Sequence, residues 1–215
     1  ASAVAAVRAV TDRLFAVVHF AGIYMLDSLI EIKPARFEES FRINLGGAFT
    51  VNRLFFPLLG RGSRILITTS ELAPLDPLPF TGLYGVTKCA LDRYAFALGM
   101  ELQLLDISVS VLRAGAVSTG MLGASTDALT AFCEKTALYR CNAARFRRIV
   151  DSVEAKSVPP ERIAKKVLHI LGAKRPAFAY AINRNPLLRL LNLLPKRMQL
   201  WAIRLVLREK ADKHG

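Results

Sequence analysis

A doubly wound parallel α/β sheet is the fold class predicted for this chain of 215 residues, on three observations. Short apolar runs alternate with stretches of helical period, the order that calls for parallel strands joined by crossover helices. The clearest run, Ile65-Leu66-Ile67, has no polar alternation, as in a strand covered on both faces. No stretch approaches the roughly 18 apolar residues of a spanning helix, although 53% of the chain is hydrophobic and its mean hydropathy is +0.32.

The elements follow in order. Phe15 to Phe20 is β-branched and aromatic, the first strand, closed by Gly22. Pro34 suits a first helical turn, and Phe37, Phe41, Leu45, Phe49 and Phe56 then recur near helical spacing to about Leu59. Gly46 and Gly47 inside that helix predict a distortion or a close approach by something. Arg64 to Thr69 is the second strand, and a loop with Pro74, Pro77 and Pro79 follows. Tyr84 to about Leu105 reads as a helix, Ile107 to Leu112 as a strand, and residues 115–160 as weaker helical pieces. Pro159-Pro160-Glu161 opens a helix to about Leu171, and Ala177 to Ile182 is a short strand.

One domain, residues 1–215, is expected, with the first strands of the sheet absent. No G-x-G-x-x-G turn occurs, and the chain opens on what looks like the end of a helix. The opening residues lack a basic leader, which argues against a signal peptide. Three cysteines (Cys89, Cys133, Cys141) without ligand spacing predict thiols in a reducing, intracellular, cytoplasmic setting and no metal.

The net charge is +13, and residues 140–215, with 18 Lys/Arg against 5 Asp/Glu, carry all of it. Such a segment meets an anionic membrane or partner, or is a solvated face. Aromatic residues (8%) are not interleaved with the basic ones, so nucleic acid is not expected. Residues 186–208 form a basic, Leu-rich tail, with Trp201 at its border. They read either as an in-plane helix contacting a peripheral membrane surface or as a helix packed over a pocket or a partner subunit.

The chemistry centres on Tyr84 and Lys88. At i and i+4 the phenol and the ammonium share a helix face. A tyrosine titrates near 10 in water, and a held cation favours its phenolate, so such a pair suits proton exchange with an alcohol or carbonyl. Ser70 ends the Ile-Leu-Ile strand at the carboxyl edge, where open α/β sheets bind ligands. Asn44 lies in the glycine-disturbed helix, Ala21-Gly22 closes the first strand, and Gly115 to Thr119 follows the third.

Together these pieces resemble the short-chain dehydrogenase/reductase family, up to the tail. Ala21-Gly22 is similar to its N-N-A-G motif, Asn44 to its N-x-x-G asparagine and Ser70 to its serine. Tyr84 and Lys88 match Y-x-x-x-K, and Gly115 to Thr119 the P-G-x-x-x-T segment. The resemblance implies a Rossmann-like fold with NAD or NADP as cofactor. Tyr84 would be the general acid/base and Lys88 would lower its pKa and hold the nicotinamide ribose. Ser70 would bond the substrate oxygen, and Asn44 would position a relaying water. Ala21, Gly22, Tyr84, Lys88, Gly115, Val117 and Thr119 would line the cofactor. It further implies a homo-oligomer acting on a hydrophobic secondary alcohol or ketone, similar to members with steroid, retinoid or lipid substrates; the alternative is a non-catalytic binding or scaffolding module of the same fold.

The sequence departs from the pattern at His19 and Phe20, which replace two asparagines, and at Ala114, which replaces a proline. Ser70 stands fourteen positions before Tyr84 instead of thirteen, leaving Thr69 as an alternative. The glycine-rich phosphate loop and the residue that selects NAD or NADP are not in this stretch. Other residues read plainly: His19 and Cys89 as packing, Ser118 and Thr119 also as helix caps, Met121 and Leu122 as the start of a substrate lid. His169 and His214 are given no role.

Overall fold

The computed structural model describes residues 2–208. A short helix α1 (Ser2–Arg8) leads into β1 (Ala16–His19). Helix α2 (Pro34–Phe41), a π-helical turn (Arg42–Gly46) and α3 (Gly47–Phe55) form one continuous rod, opened by Pro34. Then come β2 (Arg64–Ser70), α4 (Gly82–Leu102), β3 (Ser108–Ala114), α5 (Gly120–Lys135), α6 (Arg140–Glu154) and α7 (Pro160–Gly172). The chain continues with β4 (Ala179–Ile182), α8 (Pro186–Leu193) and α9 (Lys196–Leu207).

The four strands pair in parallel in the order β1-β2-β3-β4. Strand alternation divides the core between the two sheet faces. Ile65, Ile67, Val109 and Val111 pack with Ala48 of α3 and Leu91, Ala95 and Leu102 of α4. Leu66 and Leu112 point the other way, against Ile163, Val167 and Ile170 of α7. Both faces are covered, which is why Ile65-Leu66-Ile67 is unbroken by polar residues. A third cluster, Leu129, Phe132, Ala143, Phe146 and Leu207 with Leu26, joins α5, α6 and α9.

Three expectations need correction. Residues 115–160 hold two full helices, α5 and α6, because Leu129/Phe132 and Ala143/Phe146 each form an i, i+3 apolar pair that packs on the other helix. The tail is two helices broken at Leu194-Pro195, since a proline at 195 cannot donate to a continuing ladder. The distortion at Gly46 and Gly47 is real, a π turn, but nothing approaches them closely. A Cβ on Gly47 would meet nothing within 4 Å, and on Gly46 only the Phe41 carbonyl at 3.8 Å. Met121 and Leu122 stand in the first turn of α5, but their side chains, like His214, lie outside the described residues.

Candidate active site

The π turn matters because it carries Asn44, which is 1% exposed. A π turn inserts one extra residue and turns its side chain out of helical register. The Asn44 amide grips the loop after β1: its Oδ1 accepts the Ile23 N–H (2.8 Å) and its Nδ2 donates to the Ile23 carbonyl (3.0 Å). The same Nδ2 donates to the Thr87 hydroxyl (3.1 Å), which donates in turn to the Tyr84 carbonyl (2.9 Å). The first-strand loop and the start of α4 are thus tied through one amide. Thr87, inside Y-x-x-x-K, was not singled out by sequence, because the motif treats it as a spacer.

Ser70 ends β2 with a buried hydroxyl that accepts the Leu72 N–H (3.2 Å) and hydrogen-bonds Tyr84. Thr69, one step earlier, faces away and donates to the Asp92 carboxylate (3.2 Å). Strand alternation thus puts Ser70, and not Thr69, on the side of Tyr84. Tyr84 is itself buried, with the Tyr24 ring 4.7 Å from its own, centroid to centroid. Tyr24 carries no sequence signal.

Burial pushes the Tyr84 phenol up to about 12, and only the Ser70 hydrogen bond pulls it back. The lowering expected from Lys88 has no part in this shift. Lys88, 3% exposed, has its Nζ 5.7 Å from the Tyr84 ring centroid. Burial pushes this ammonium down to about 8. Its hydrogen bond to the Thr68 carbonyl is long, 3.5 Å, and among the described residues no carboxylate pairs with it. Gly22 lets the backbone pack closely against it: a Cβ there would stand 3.1 Å from Lys88 Nζ and 3.2 Å from Asn44 Oδ1.

Gly22, Asn44, Ser70, Tyr84 and Lys88 form one cluster at the carboxyl edge of the sheet. Ala21 borders it on the surface. The strip after β3 is held separately. Gly115 is required by packing, because a Cβ would fall 1.9 Å from the Asn183 carbonyl oxygen. Val117 bridges Val158. Thr119 is exposed at the N-cap of α5, yet its side chain makes no capping bond; Ser118 bonds Ser157 at 2.7 Å. His19 bonds Asn52 at 2.7 Å, and burial pushes its imidazole down. Cys89 is half-buried on α4, and the His169 ring meets Tyr180 edge-on.

A second, polar device braces the cluster from below. Asp92 lies two helical turns along α4 from Tyr84. It receives both Nε (3.0 Å) and a terminal nitrogen (2.7 Å) of Arg113 on β3. On one side α5 is tied to the loop after β1, where the Glu31 carboxylate accepts from the Thr136 hydroxyl (2.7 Å) and the Ala137 N–H (2.8 Å).

A parallel α/β sheet covered by helices on both faces, with a serine, a tyrosine and a lysine gathered at its carboxyl edge, defines a Rossmann-like fold. This chain belongs to the short chain dehydrogenase family, whose profile matches residues 1–130. It is 28% identical over 177 residues to the uncharacterized oxidoreductase YbbO of Escherichia coli K12, covering 81% of this chain and 61% of that protein. The solved dehydrogenase/reductase of Sinorhizobium meliloti 1021 superposes with a TM-score of 0.65 at 26% identity, over 84% of this chain and 67% of that one. A short chain dehydrogenase of Burkholderia cenocepacia J2315, solved in complex with NADP, shares the fold at 21% identity and a TM-score of 0.64, over 84% and 69% of the two chains. The chain spans 38–61% of the length of the first curated relatives it matches.

Proposed function

We propose that this chain carries the nicotinamide and substrate end of an NAD(P)-dependent oxidoreductase that interconverts a hydrophobic secondary alcohol and its ketone. The observation that carries the reading is the Ser70–Tyr84 hydrogen bond beside a buried, under-partnered Lys88. A buried ammonium with one long hydrogen bond has donors to spare, and the hydroxyls of a nicotinamide ribose are acceptors of the right kind. Gly22, with no side chain, lets the backbone come close to that ribose. When bound, the nicotinamide supplies or takes the hydride.

The remaining work belongs to side chains. The Tyr84 phenol, protonated at neutral pH, is ready to donate to a carbonyl oxygen being reduced. Ser70 donates a hydrogen bond to the same oxygen and fixes its place. Lys88, as a cation, stabilises the phenolate left behind. Asn44 holds the loop over the site and orders the solvent beside Lys88. Val117 and Thr119 contribute from the strip after β3.

An apolar substrate suits the cleft of about 340 Å³ that opens near the start of α4, walled by Leu29, Ile30, Leu78, Phe80, Ile203 and Leu207. Self-association suits the exposed apolar side chains of α3 and α4, Phe49, Phe96 and Met100. The thiols Cys89 and Cys133 suit a reducing cytoplasm, with the basic tail as the element that reaches a membrane surface. The test uses the intact protein and its best alcohol or ketone from an apolar panel. Tyr84→Phe is expected to lower turnover by at least about a hundredfold while cofactor affinity stays within about twofold. Undiminished turnover in that variant, or no binding of NADH or NADPH to the parent, overturns the reading.

A further inference from the structure

Surface helices of water-soluble proteins turn leucines inward and polar groups outward. Of its leucines, α8 half-buries only Leu188 and Leu191 and leaves the others outside. Its attachments are polar: the Asn185 N–H donates to the Glu71 carboxylate (2.6 Å), and the Asn192 side chain accepts the Asp76 N–H (2.6 Å). Lys196, the first residue of α9, pairs with the Asp76 carboxylate. No residue of α8 is buried, and Leu187, Leu190 and Leu193, spaced to form one ridge, are 71, 60 and 81% exposed. In α9 the buried residues are Gln199 and Leu207, while Leu200 and Trp201 are 72 and 64% exposed.

Interspersed with these apolar side chains are Arg189, Arg197, Arg204 and Arg208, all exposed and none in an ion pair among the described residues. Among those residues no helix is long and apolar enough to cross a membrane. At 1.5 Å per residue each of these two helices is far shorter than the hydrocarbon core is thick. Short amphipathic helices with basic flanks lie in the plane of the interface, apolar side down. A second copy of the same surface is a poor match, because it would set arginine clusters against each other.

We propose that α8 and α9 dock on an anionic lipid surface, with Leu187, Leu190, Leu193, Leu200 and Trp201 entering the headgroup boundary and the four arginines meeting lipid phosphates. The inference deepens the tail reading above and is independent of catalysis. It also gives the latches a purpose. Glu71 follows Ser70 directly, and Asp76 lies in the loop that walls the cleft, so the docked tail is tied to the substrate side. Ile203 and Leu207 line the cleft from α9 itself, which sets the cleft beside the lipid.

Trp201 is the single tryptophan of the chain, so its emission reports on this surface alone. The full chain is titrated with vesicles of phosphatidylcholine containing phosphatidylglycerol, and with pure phosphatidylcholine, and both are floated on a density gradient. The expected result is a shift of Trp201 emission to shorter wavelength, with co-flotation, on the anionic vesicles only, reversed by salt. Arg189→Gln, Arg197→Gln and Arg204→Gln are expected to weaken binding roughly fivefold each, and Leu190→Ser with Leu193→Ser to abolish flotation while far-ultraviolet dichroism is unchanged. No shift and no flotation with anionic vesicles overturns the proposal. So does equal binding to neutral vesicles, or a shift that follows protein concentration without lipid, which would mark a self-association face.

Discussion

A methyl group on Gly22 would stand 3.1 Å from the Nζ of Lys88. The ammonium is the tip of a flexible side chain and can move, but the same methyl would stand 3.2 Å from Asn44 Oδ1, which Ile23 holds in place. Gly22→Ala is therefore expected to cost about 1–3 kcal/mol of stability, the usual range for an added methyl in a packed site. It should nevertheless weaken NADH and NADPH binding by about tenfold in the intact protein, since the displaced group is the one offered to the ribose. Nucleotide fluorescence titration beside a thermal melt separates the two effects; unchanged affinity would remove Lys88 from the cofactor site.

The buried lysine also makes stability depend on pH in a direction opposite to that of a salt-bridged one. Burial lowers Lys88 from 10.5 to about 8 in the folded state. Between those values the unfolded chain holds the proton and the native chain does not, so stability rises with pH across that window. Tyr84 is raised from 10.0 to about 12, so above pH 10 the native chain holds the extra proton and stability falls. The two residues together are expected to give maximal stability near pH 10 in the absence of cofactor. Lys88→Met should remove the rise and stabilise the protein at pH 7 by on the order of 3 kcal/mol. Urea midpoints across the range check this. Cofactor affinity should run the other way, constant below pH 8 and falling above it, because the acceptors prefer the ammonium.

The parts legible in the sequence were those set by local period. Ile65-Leu66-Ile67 announced a strand covered on both faces, and Tyr84 and Lys88 a shared helix face. What stayed hidden depended on contacts between distant elements. The polar stretches of α5 and α6 conceal short apolar pairs that matter only once the two helices meet. Tyr24 sits against Tyr84 from a loop with no pattern of its own. Gly115 suggested a cofactor turn, and the structure adds a packing reason, the Asn183 carbonyl. Periodicity showed that the tail is amphipathic, but not which side faces the protein; that was decided by Glu71 and Asp76.

Asn44 is expected to matter for folding as much as for chemistry. Its amide, 1% exposed, satisfies both backbone groups of Ile23. Asn44→Ala strands that N–H and that carbonyl, for a loss of about 2 kcal/mol or more. Asn44→Asp keeps the acceptor for the N–H but sets a buried carboxylate oxygen against the Ile23 carbonyl, and should cost at least as much near neutral pH. Chemical denaturation ranks the three proteins. If both variants unfold at the midpoint of the parent, the grip on Ile23 is not what stabilises the loop.

The Asp92–Arg113 pair offers a measure of how firmly the reacting residues are held. Asp92 joins Thr69, next to Ser70, and Arg113, two residues before Gly115, to the helix that bears Tyr84 and Lys88. Both side chains are largely removed from water, 8 and 18% exposed. Losing one partner strands a charge, so Asp92→Ala or Arg113→Met alone is expected to cost about 3 kcal/mol. The double variant should cost clearly less than the sum of the two, because it leaves no charge unpaired. A merely structural brace would show only this. If the pair also sets the register of Ser70 against Tyr84, Arg113→Lys, which keeps the charge but loses the fork, should lower kcat with KM little changed at temperatures where it remains folded. Strict additivity in the cycle would mean that the two residues act separately.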